Sequence, residues 1–363
     1  MTDSPLPCTM SGVLLTGHGG LDRLQYRRDL PVPRPGPGEV LIRIGAAGIN
    51  NTDINTRIAW YSKEVSQATS AGGDIGFEGL SGADGTWSGT PLQFPRIQGA
   101  DGCGEILAVG ERVDPKRVGE RVLVRPMQDP LTADGSHLIT WGSECDGAFA
   151  EYALCRASEA YKIDSPLSDA ELASFPCAYS TAENMLHRAR VRAGERVLIT
   201  GASGGVGCAA MQLAVRRGAE VWAVTSAHKG PALLKLGAAG IICREQPLAE
   251  QLEGNSLDVV VDLVAGPEFA TLLEGLKPGG RYAVAGAIAG PLVELDVRTL
   301  YLKDLTLLGC TAQPREVFEN LLRYIEAGEL LPQVANTYPL SEIHQAQEAF
   351  LSKQHVGKLV LIP

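Results

Sequence analysis

Residues 196–229 read RVLITGASGGVGCAAMQLAVRRGAEVWAVTSAHK, and this stretch decides how the chain is organised. The apolar run at 197–199 is typical of a buried parallel strand. A glycine-rich turn at 201–207 and a helical pattern closed by Gly218 follow, and a second apolar strand at 221–224 completes the unit. A strand–turn–helix–strand unit of this kind predicts an α/β fold with a doubly wound parallel sheet and a dinucleotide site.

The glycine turn reads A-x-G-x-x-G, because Ala202 stands where the usual motif has its first glycine. Glycine lets a pyrophosphate approach the backbone closely and rest on the N-terminus of the helix, where unpaired N–H groups favour an anion. The candidate cofactor-binding residues of the turn are Ser203, Gly204, Gly205, Val206 and Gly207. A structural turn without a ligand is the alternative, and the flanking strands and helix favour binding.

The end of the second strand indicates which dinucleotide is bound. An NAD site places Asp or Glu about 20 residues after the glycines, to hold the ribose 2′-hydroxyl. This chain has no acid there and instead offers Ser226, His228 and Lys229, with Arg244 after the next strand as a further candidate. A hydroxyl and cationic groups suit a 2′-phosphate, so we predict NADP(H) as the cofactor. The alternative is an ordinary polar loop.

Composition and charge narrow the class of protein. A length of 363 residues predicts two or three domains, and a net charge of −10 argues against a nucleic-acid surface. No apolar run approaches the length of a membrane span, and the eight cysteines are scattered without a C-x-x-C pair, as in reduced cytosolic enzymes. We therefore expect a cytoplasmic homodimer that acts on a small molecule and binds neither nucleic acid nor a membrane.

The nucleotide domain is predicted to be inserted in a β-rich domain. Strand patterns precede it and a last strand at 358–362 follows it, so we assign 1–161 and 304–363 to the β-rich domain and 162–303 to the nucleotide domain. The active site is expected in the cleft between them. Residues 62–94 are too long for a plain connection, and form either a disordered segment or a lid over the cleft in which Phe77 or Trp87 packs on the cleft wall.

A family resemblance rests on motifs that span almost the whole chain. They are AAGINNTDIN, QGADGCGEILAVG, DGAFAEY, the Ser-Thr-Ala triplet at 180–182, GASGGVG, VDLVAG, LKPGG and the terminal HVGKLVLIP. In these motifs the chain resembles the medium-chain dehydrogenase/reductase superfamily and, within it, the zinc-independent quinone oxidoreductase group. The resemblance implies a GroES-like β-rich domain and an NADPH-dependent oxidoreductase that transfers a hydride to a quinone or an activated C=C bond.

The same resemblance bears on metal binding. Zinc-dependent relatives carry a catalytic Cys where this chain has Asn50 and a His where it has Ala100, and the third ligand position matches Cys177. Zinc needs three protein ligands to leave one position open for substrate. Because one ligand of three is present, we predict a reaction without metal, in which the protein supplies or relays the proton.

The resemblance also implies roles for single residues near the nicotinamide. Asn50 lies beside the ring in the resembled group, where its amide suits a carboxamide or a substrate oxygen. Thr181 matches a threonine whose hydroxyl contacts the cofactor. Ala287 and Cys310 lie in loops that pack on the nicotinamide. Lys358 matches a terminal lysine near the site, although a surface lysine is equally compatible with the sequence.

Tyr61 is the candidate proton donor, because resembled enoyl reductases carry a tyrosine at the same spacing from the counterpart of Asn50. A phenol can protonate or stabilise an enolate. The alternative is an aromatic anchor formed with Trp60. At the level of function, two alternatives stay open beside the quinone or C=C reductase: a 2-enoyl thioester reductase and a non-catalytic NADPH-binding protein.

Overall fold

The computed structural model of the protein describes residues 6–77, 80, 91–129 and 139–363, and the calls on Trp87 and on residues 78, 79 and 81–90 fall outside this part. Its strands are β1 Thr9–Leu15, β2 Leu24–Pro31, β3 Glu39–Gly48, β4 Arg96–Ile97, β5 Cys103–Val109, β6 Arg121–Val124, β7 Met127–Gln128, β8 Ile139–Thr140, β9 Tyr152–Arg156, β10 Ala160–Lys162, β11 Arg196–Ile199, β12 Glu220–Thr225, β13 Gly240–Cys243, β14 Leu257–Asp262, β15 Leu276–Val284, β16 Thr306–Gly309, β17 Val334–Pro339 and β18 Lys358–Ile362. Its helices are α1 Asn51–Arg57, α2 Asp169–Leu172, α3 Pro176–Arg188, α4 Gly205–Arg216, α5 Gly230–Lys235, α6 Leu248–Gln251, α7 Phe269–Gly275, α8 Val297–Leu302, α9 Arg315–Glu326 and α10 Ile343–Ser352.

The nucleotide domain is built on a six-stranded sheet in the order β13-β12-β11-β14-β15-β16, with every neighbouring pair parallel. The apolar run of β11 is buried on both faces of this sheet. Val197 and Ile199 pack into the core that includes α3, α4 and α9, whereas Leu198 packs into the core with Phe269 on the opposite face. Burial on both faces explains why this strand is apolar without alternation, and the predicted doubly wound sheet is confirmed.

The β-rich domain surrounds this insertion in the sequence. Its largest sheet has the strand order β10-β6-β5-β3-β18-β17, and β9 also pairs with β3. The two C-terminal strands, β17 and β18, complete this sheet. Two smaller sheets, β2-β1-β4 and β7-β8, lie beside it. The C-terminal end of the chain therefore returns to the β-rich domain, as predicted, through antiparallel pairing of β18 with β3.

One predicted domain boundary needs correction. The boundary at 303/304 assigned the following residues to the β-rich domain, but β16 pairs with β15 in the nucleotide sheet. Cys310 then donates its backbone N–H to Val284 O at 2.9 Å, so the nucleotide domain continues past this strand. The return to the β-rich domain comes later, because α9 still packs through Phe318 and Leu321 on the core of the nucleotide domain.

The C-terminal segment also contacts the glycine turn. Gly357 donates its backbone N–H to Ser203 O at 2.9 Å and forms an isolated β-bridge with Gly204. A side chain at Gly357 is excluded, since its φ is +89° and a Cβ there would lie 2.3 Å from Gln333 O. The end of the β-rich domain therefore forms one wall of the predicted dinucleotide site. Across the described residues, no helix combines the length and the apolar character needed to cross a bilayer.

Candidate active site

The glycine turn leaves its backbone accessible at the carboxyl end of β11. Gly204 is the N-cap of α4, and the first N–H groups of a helix have no intrahelical acceptor. A Cβ on Gly207 would lie 2.3 Å from Gly201 O, so only glycine allows the helix to start this close to the turn. Ser203, Gly204, Gly205 and Val206 are half-buried or exposed, which fits a pyrophosphate cradle at a helix N-terminus.

The predicted phosphate-selecting residues meet at the end of β12, but in different environments. Ser226 is buried, His228 is exposed, and Arg244 is brought to the strand end by its N–H···O=C bond to Thr225 at 2.9 Å. Lys229 is a buried cation rather than a freely exposed one. It is only 5% exposed, and its Nζ donates to the main-chain carbonyls of Lys353 and His355.

These contacts gather positive groups that the sequence analysis did not connect. Burial, reinforced by the Lys229 charge, lowers the pKa of Lys353 to about 8. Burial and the charges of Lys353, Lys229 and Lys358 lower the pKa of His355 to about 4. Burial is the larger cause in both cases, and the lowered pKa leaves His355 neutral at pH 7. The Lys229 and Lys353 ammonium groups repel each other, and an anion bound beside them would relieve that repulsion.

A carboxylate that the sequence analysis missed lies beside the same strand end. Glu245 Oε2 accepts from the Ala227 N–H at 3.2 Å and from Cys243 Sγ at 2.9 Å. The hydrogen bond from Cys243 is the largest cause that lowers the pKa of Glu245 to about 2. The linear motif places an acid after β12, whereas this acid arrives from the end of β13, so only the sheet order could have revealed it.

A buried polar cluster occupies the centre of the cleft between the domains. Lys358 Nζ donates to Ile49 O at 2.8 Å, to Asn50 Oδ1 at 2.5 Å and to Asp101 Oδ2 at 2.7 Å. Asp101 also accepts the Cys177 N–H at 2.5 Å, which fixes the start of α3. Lys358 is 3% exposed and Asp101 is fully buried, so the interpretation of Lys358 as a surface residue is excluded.

The Asn50 side chain makes more hydrogen bonds within the protein than predicted. Its Nδ2 donates to Asp101 Oδ2 at 2.8 Å and to Gly48 O at 3.4 Å, while its Oδ1 accepts from Lys358. We expected this amide to hold a carboxamide or a substrate oxygen. The observed bonds already use both of its N–H groups, so Asn50 fixes the cluster and retains only one oxygen lone pair for a ligand.

Asp53 is the third residue of α1 and bonds back to Asn50, the N-cap residue of that helix. Its Oδ2 accepts the Asn50 N–H at 2.7 Å. Burial is the largest influence on this carboxyl and raises its pKa to about 7, while the Asn50 hydrogen bond and the Lys358 charge oppose the rise. The group therefore titrates near neutrality beside the cleft.

The remaining predicted residues line the same region. Thr181 lies in the middle of α3, half-buried, and its hydroxyl bonds to the thiol of Cys177 one turn earlier. Ala287 packs against the core of the β-rich domain although it follows β15 of the nucleotide sheet. Cys310 is 5% exposed at the end of β16. The loops after these two strands thus lie at the cleft, where small side chains allow a ring to approach.

Tyr61 reaches the cleft through its hydroxyl. Its OH donates to Thr52 Oγ1 at 3.3 Å, and Thr52 lies in the first turn of α1, next to the polar cluster. Trp60 is 9% exposed, and its Nε1 donates to Gln67 O at 2.9 Å. Its ring meets the Tyr61 ring edge-on, with the centroids 5.7 Å apart, and Tyr61 also packs on the core of the β-rich domain. The contacts of Tyr61 are therefore compatible with both predicted roles, the aromatic anchor and the proton donor.

The described part of the predicted lid crosses the cleft. The Thr69 N–H donates to Ile288 O at 3.1 Å, which joins the segment to the loop after β15. The Thr69 hydroxyl donates to Asn55 Oδ1 at 3.1 Å, and Phe77 packs half-buried on the core of the β-rich domain. Residues 62–77 thus connect the two domains on one side of the cleft.

The metal-ligand positions of the resembled zinc enzymes carry poor zinc donors here. They offer an amide at Asn50, a methyl group at Ala100 and a thiol at Cys177, whose pKa is raised by burial and by the Asp101 charge. Throughout the described residues, no group of three or more His, Cys, Asp or Glu side chains has the geometry of a metal site. The Asp101 carboxylate of the cluster is instead paired with the Lys358 ammonium.

Comparisons with known proteins agree with this architecture. Residues 36–165 match the alcohol dehydrogenase GroES-like domain family, and residues 236–361 match the zinc-binding dehydrogenase family. The chain is 29% identical to the acryloyl-coenzyme A reductase of Metallosphaera sedula over 97% of this chain and 99% of that protein. It is 29% identical to the quinone oxidoreductase of Lama guanicoe over 97% of each. A solved structure of a putative alcohol dehydrogenase from Sinorhizobium meliloti 1021 is 47% identical, with a TM-score of 0.87 over 99% of this chain and 98% of that one.

The raised pKa of Asp53 predicts a pH-dependent stability. Its folded value of about 7 exceeds the value of about 3.9 in an unfolded chain. Stability from this group is therefore fully present below about pH 4 and is lost as the pH rises through 7. Asp53→Asn keeps the capping acceptor and cannot ionise, so its unfolding free energy relative to wild type should increase by about 2–3 kcal/mol from pH 5 to pH 8. Urea denaturation at each pH measures this.

Asp304→Asn is the control, because it removes an exposed carboxylate outside the cleft. Its stability relative to wild type should stay nearly constant over the same pH range. Parallel curves for wild type and Asp53→Asn would show that Asp53 is already ionised at pH 5.

Proposed function

Because the chain belongs to the medium-chain dehydrogenase/reductase superfamily of nicotinamide-dependent oxidoreductases, we propose that it reduces a C=C bond conjugated to a carbonyl. The acceptor is a quinone or an enoyl compound such as a 2-enoyl thioester, the reductant is NADPH, and no metal takes part. The relatives named quinone oxidoreductase and acryloyl-coenzyme A reductase support both acceptor types.

The observation that carries this proposal is that the Lys358 ammonium at the cleft has no free hydrogen-bond donor. Lys358 uses all three of its N–H donors on protein oxygens, so it has none left to polarise a substrate carbonyl. An unactivated ketone depends on such polarisation. A conjugated acceptor depends on it less, because hydride addition to the β-carbon delivers the new charge to an enolate oxygen.

The chain's own hydroxyl groups suit that enolate. Tyr61 OH and Thr52 Oγ1 are hydrogen-bonded beside the cluster, and a phenol placed there can donate a proton as the charge develops. When bound, NADPH supplies the hydride. Thr181, Ala287 and Cys310 position the nicotinamide, and residues 62–77 exclude water from one side of the cleft.

The cation cluster favours NADPH over NADH. Lys229 and Lys353 lie close together near the end of β12, with exposed His228 and Arg244 nearby, and a 2′-phosphate would compensate the repulsion between the two ammonium groups. Glu245 favours NADH, since a carboxylate at this strand end can accept from a ribose 2′-hydroxyl. We assign the greater weight to the cations, because several of them are crowded together and partly buried.

The direct experiment is cofactor oxidation with a panel of acceptors. We expect purified protein to oxidise NADPH with 1,4-benzoquinone, crotonaldehyde or crotonyl-coenzyme A and to leave butanone, a saturated ketone, unreduced. Binding of NADPH without oxidation by any acceptor would instead support the non-catalytic alternative. Reduction of butanone at a rate comparable to the conjugated acceptors would contradict the proposal.

We further propose that the protein is a homodimer that pairs through β16. This strand forms the edge of the nucleotide sheet and has a neighbour on one side only among the described residues. Exposed apolar side chains surround it: Leu292, Val293, Val297, Tyr301, Leu302 and Leu307. A second copy across a twofold axis would cover this patch and continue the sheet. For the location we propose the cytoplasm, which suits eight free cysteines.

Light scattering on the purified protein tests the dimer. Wild type should have twice the 38.4 kDa mass of one chain. Leu302→Asp should shift the protein to one chain, because Leu302 is 70% exposed in the patch and a charge cannot be buried there without cost. Leu331→Asp changes an equally apolar residue, 62% exposed and outside the patch, and should leave the mass unchanged. A wild-type mass of one chain would contradict this interface.

Lys353→Asn tests cofactor selection. Asparagine tolerates the left-handed φ of +53° at this position and removes the charge. A charged hydrogen bond is worth about 1.5–3 kcal/mol, so NADPH affinity should fall about 10- to 100-fold while NADH affinity changes little. Fluorescence titration measures both affinities. Lys235→Asn makes the same charge change on exposed α5 and should affect neither cofactor. Equal losses of the two cofactors would argue against a 2′-phosphate contact.

Tyr61→Phe tests the proton donor, since it removes only the hydroxyl. We expect kcat for the best conjugated acceptor to fall by about 10²–10⁴ with the melting temperature little changed. Stopped-flow measurement of NADPH oxidation isolates the chemical step. Tyr338→Phe, at a half-buried tyrosine in β17, is the matched control. Retention of the wild-type rate in the chemical step would mean that solvent or the substrate delivers the proton.

A further inference from the structure

One peptide group, between Ile288 and Ala289, is hydrogen-bonded to both domains. Its carbonyl oxygen accepts the Thr69 N–H of the β-rich domain at 3.1 Å. Its N–H donates to Val264 O at 3.0 Å, in the loop after β14 of the nucleotide sheet. The group lies in the loop after β15, directly after Ala287. The position of this loop is therefore fixed from two sides.

On the side of the nucleotide domain, the loop after β15 is fastened to the carboxyl end of the sheet. Asp262, fully buried at the end of β14, accepts the Val264 N–H at 2.9 Å and the Thr200 hydroxyl at 2.5 Å. Thr200 directly precedes the glycine turn. A Cβ on Gly266 would lie 2.9 Å from Ala289 Cβ, so the loops after β14 and β15 also pack closely together.

On the side of the β-rich domain, the segment that carries Thr69 is anchored before and after this residue. Trp60 Nε1 donates to Gln67 O at 2.9 Å. The guanidinium of Arg57, which is fully buried, donates to Gly73 O at 2.8 Å. Both anchors lie in or directly after α1, so the segment is fastened to the region of this helix on both sides of Thr69.

Thr69 itself uses one donor on each domain. Its N–H bonds to Ile288 O, whereas its hydroxyl donates to Asn55 Oδ1 in α1 at 3.1 Å. Thr69 is 3% exposed and Asn55 is 5% exposed, so these bonds are sheltered from water. The same helix carries Thr52, the partner of the Tyr61 hydroxyl. A continuous set of hydrogen bonds thus runs from the loop after β15 to the helix that holds the candidate proton donor.

We infer that Thr69 is a positioning residue that holds the loop after β15 against α1, and so sets the distance between the nicotinamide and the acceptor. The inference rests on the proposed hydride transfer, in which Ala287 of this loop lies at the nicotinamide, and deepens it by naming the residue that fixes the loop. Hydride transfer is sensitive to such placement, because a displacement of about 1 Å can reduce a rate about 10²-fold.

Three substitutions of Thr69 separate its two donors. Thr69→Ser keeps both, Thr69→Val removes the hydroxyl, and Thr69→Pro removes the hydroxyl and the N–H. Proline fits this backbone, because Thr69 opens a 3₁₀ turn and the preceding Ala68 is extended, with ψ of 152°.

Stopped-flow kinetics with saturating NADPH and the most active acceptor of the panel measures the hydride-transfer rate. We expect Thr69→Ser to match wild type and Thr69→Val to be slower by about 2- to 10-fold, the effect of one neutral hydrogen bond. Thr69→Pro should be slower by up to about 100-fold. The affinity for NADPH, measured by fluorescence titration, should change less than about 2-fold in all three. Ser70→Ala removes the exposed hydroxyl of the next residue and should match wild type.

Amide hydrogen exchange of the free protein tests the same contact without catalysis. Peptides that cover 284–290 should exchange faster in Thr69→Pro than in Thr69→Ser, by about 10-fold, because the loop has lost its bond to the β-rich domain. Peptides that cover 258–262 in β14 should exchange equally in both variants. Equal exchange at 284–290 would show that Thr69 does not hold the loop.

The possible results separate the inference from the function on which it rests. A wild type that oxidises NADPH with no acceptor would overturn the proposed function, and exchange at 284–290 would still decide whether Thr69 holds the loop. In an active enzyme, a wild-type hydride-transfer rate in Thr69→Pro would overturn the inference even if its melting temperature were lower. A loss of NADPH affinity as large as the loss of rate would also overturn it. Circular dichroism reports folding, and if the proline variant does not fold, Thr69→Val decides by the same measurements.

Discussion

The ion pair between Lys358 and Asp101 holds together segments that are far apart in the sequence. It connects the residue after β3, the loop two residues before β5, the start of α3 and the first residue of β18. Breaking one partner of a buried pair costs about 3–5 kcal/mol, against a total stability of about 5–15 kcal/mol for a typical domain. Loss of this interaction would therefore destabilise the junction of the two domains by more than loss of a surface ion pair, which is typically worth about 0–1 kcal/mol.

The position of Lys358 follows from the return of the chain to its first domain. β18 pairs with β3 beside Gly48, which brings the lysine next to Asn50 at the opposite end of the sequence. The residues just before it, 353–357, lie against the glycine turn and contribute the main-chain carbonyls that accept hydrogen bonds from Lys229. A single C-terminal segment thus completes the β-rich sheet, fills the centre of the cleft and forms part of the dinucleotide site.

Local patterns in the sequence were sufficient for most of the fold. The apolar run of β11, the glycine turn, β12 and the terminal strand Lys358–Ile362 were all predicted, because each carries its signal within a few residues. β17 was missed, since it runs along a sheet edge with mostly exposed side chains and shows no alternation. Glu245 and Asp101 were missed as site residues because their roles depend on which strands become neighbours. The burial of Lys358 could not be inferred either, because lysine is usually exposed and its partners lie 257 and 308 residues away.

The hydrogen bonds of Lys358 limit what the cleft can do chemically, because all three donors of its ammonium group are used by protein oxygens. A zinc ion with an open position binds a substrate oxygen directly and lowers the energy of developing negative charge. Lys358 offers the substrate no such donor, so in the proposed reaction the developing charge is stabilised by neutral hydroxyls such as that of Tyr61. A neutral donor stabilises an alkoxide less than a metal does, and it is best matched to an oxygen whose charge is already delocalised. The proposed preference for conjugated acceptors therefore follows from the same buried ion pair that joins the segments lining the cleft.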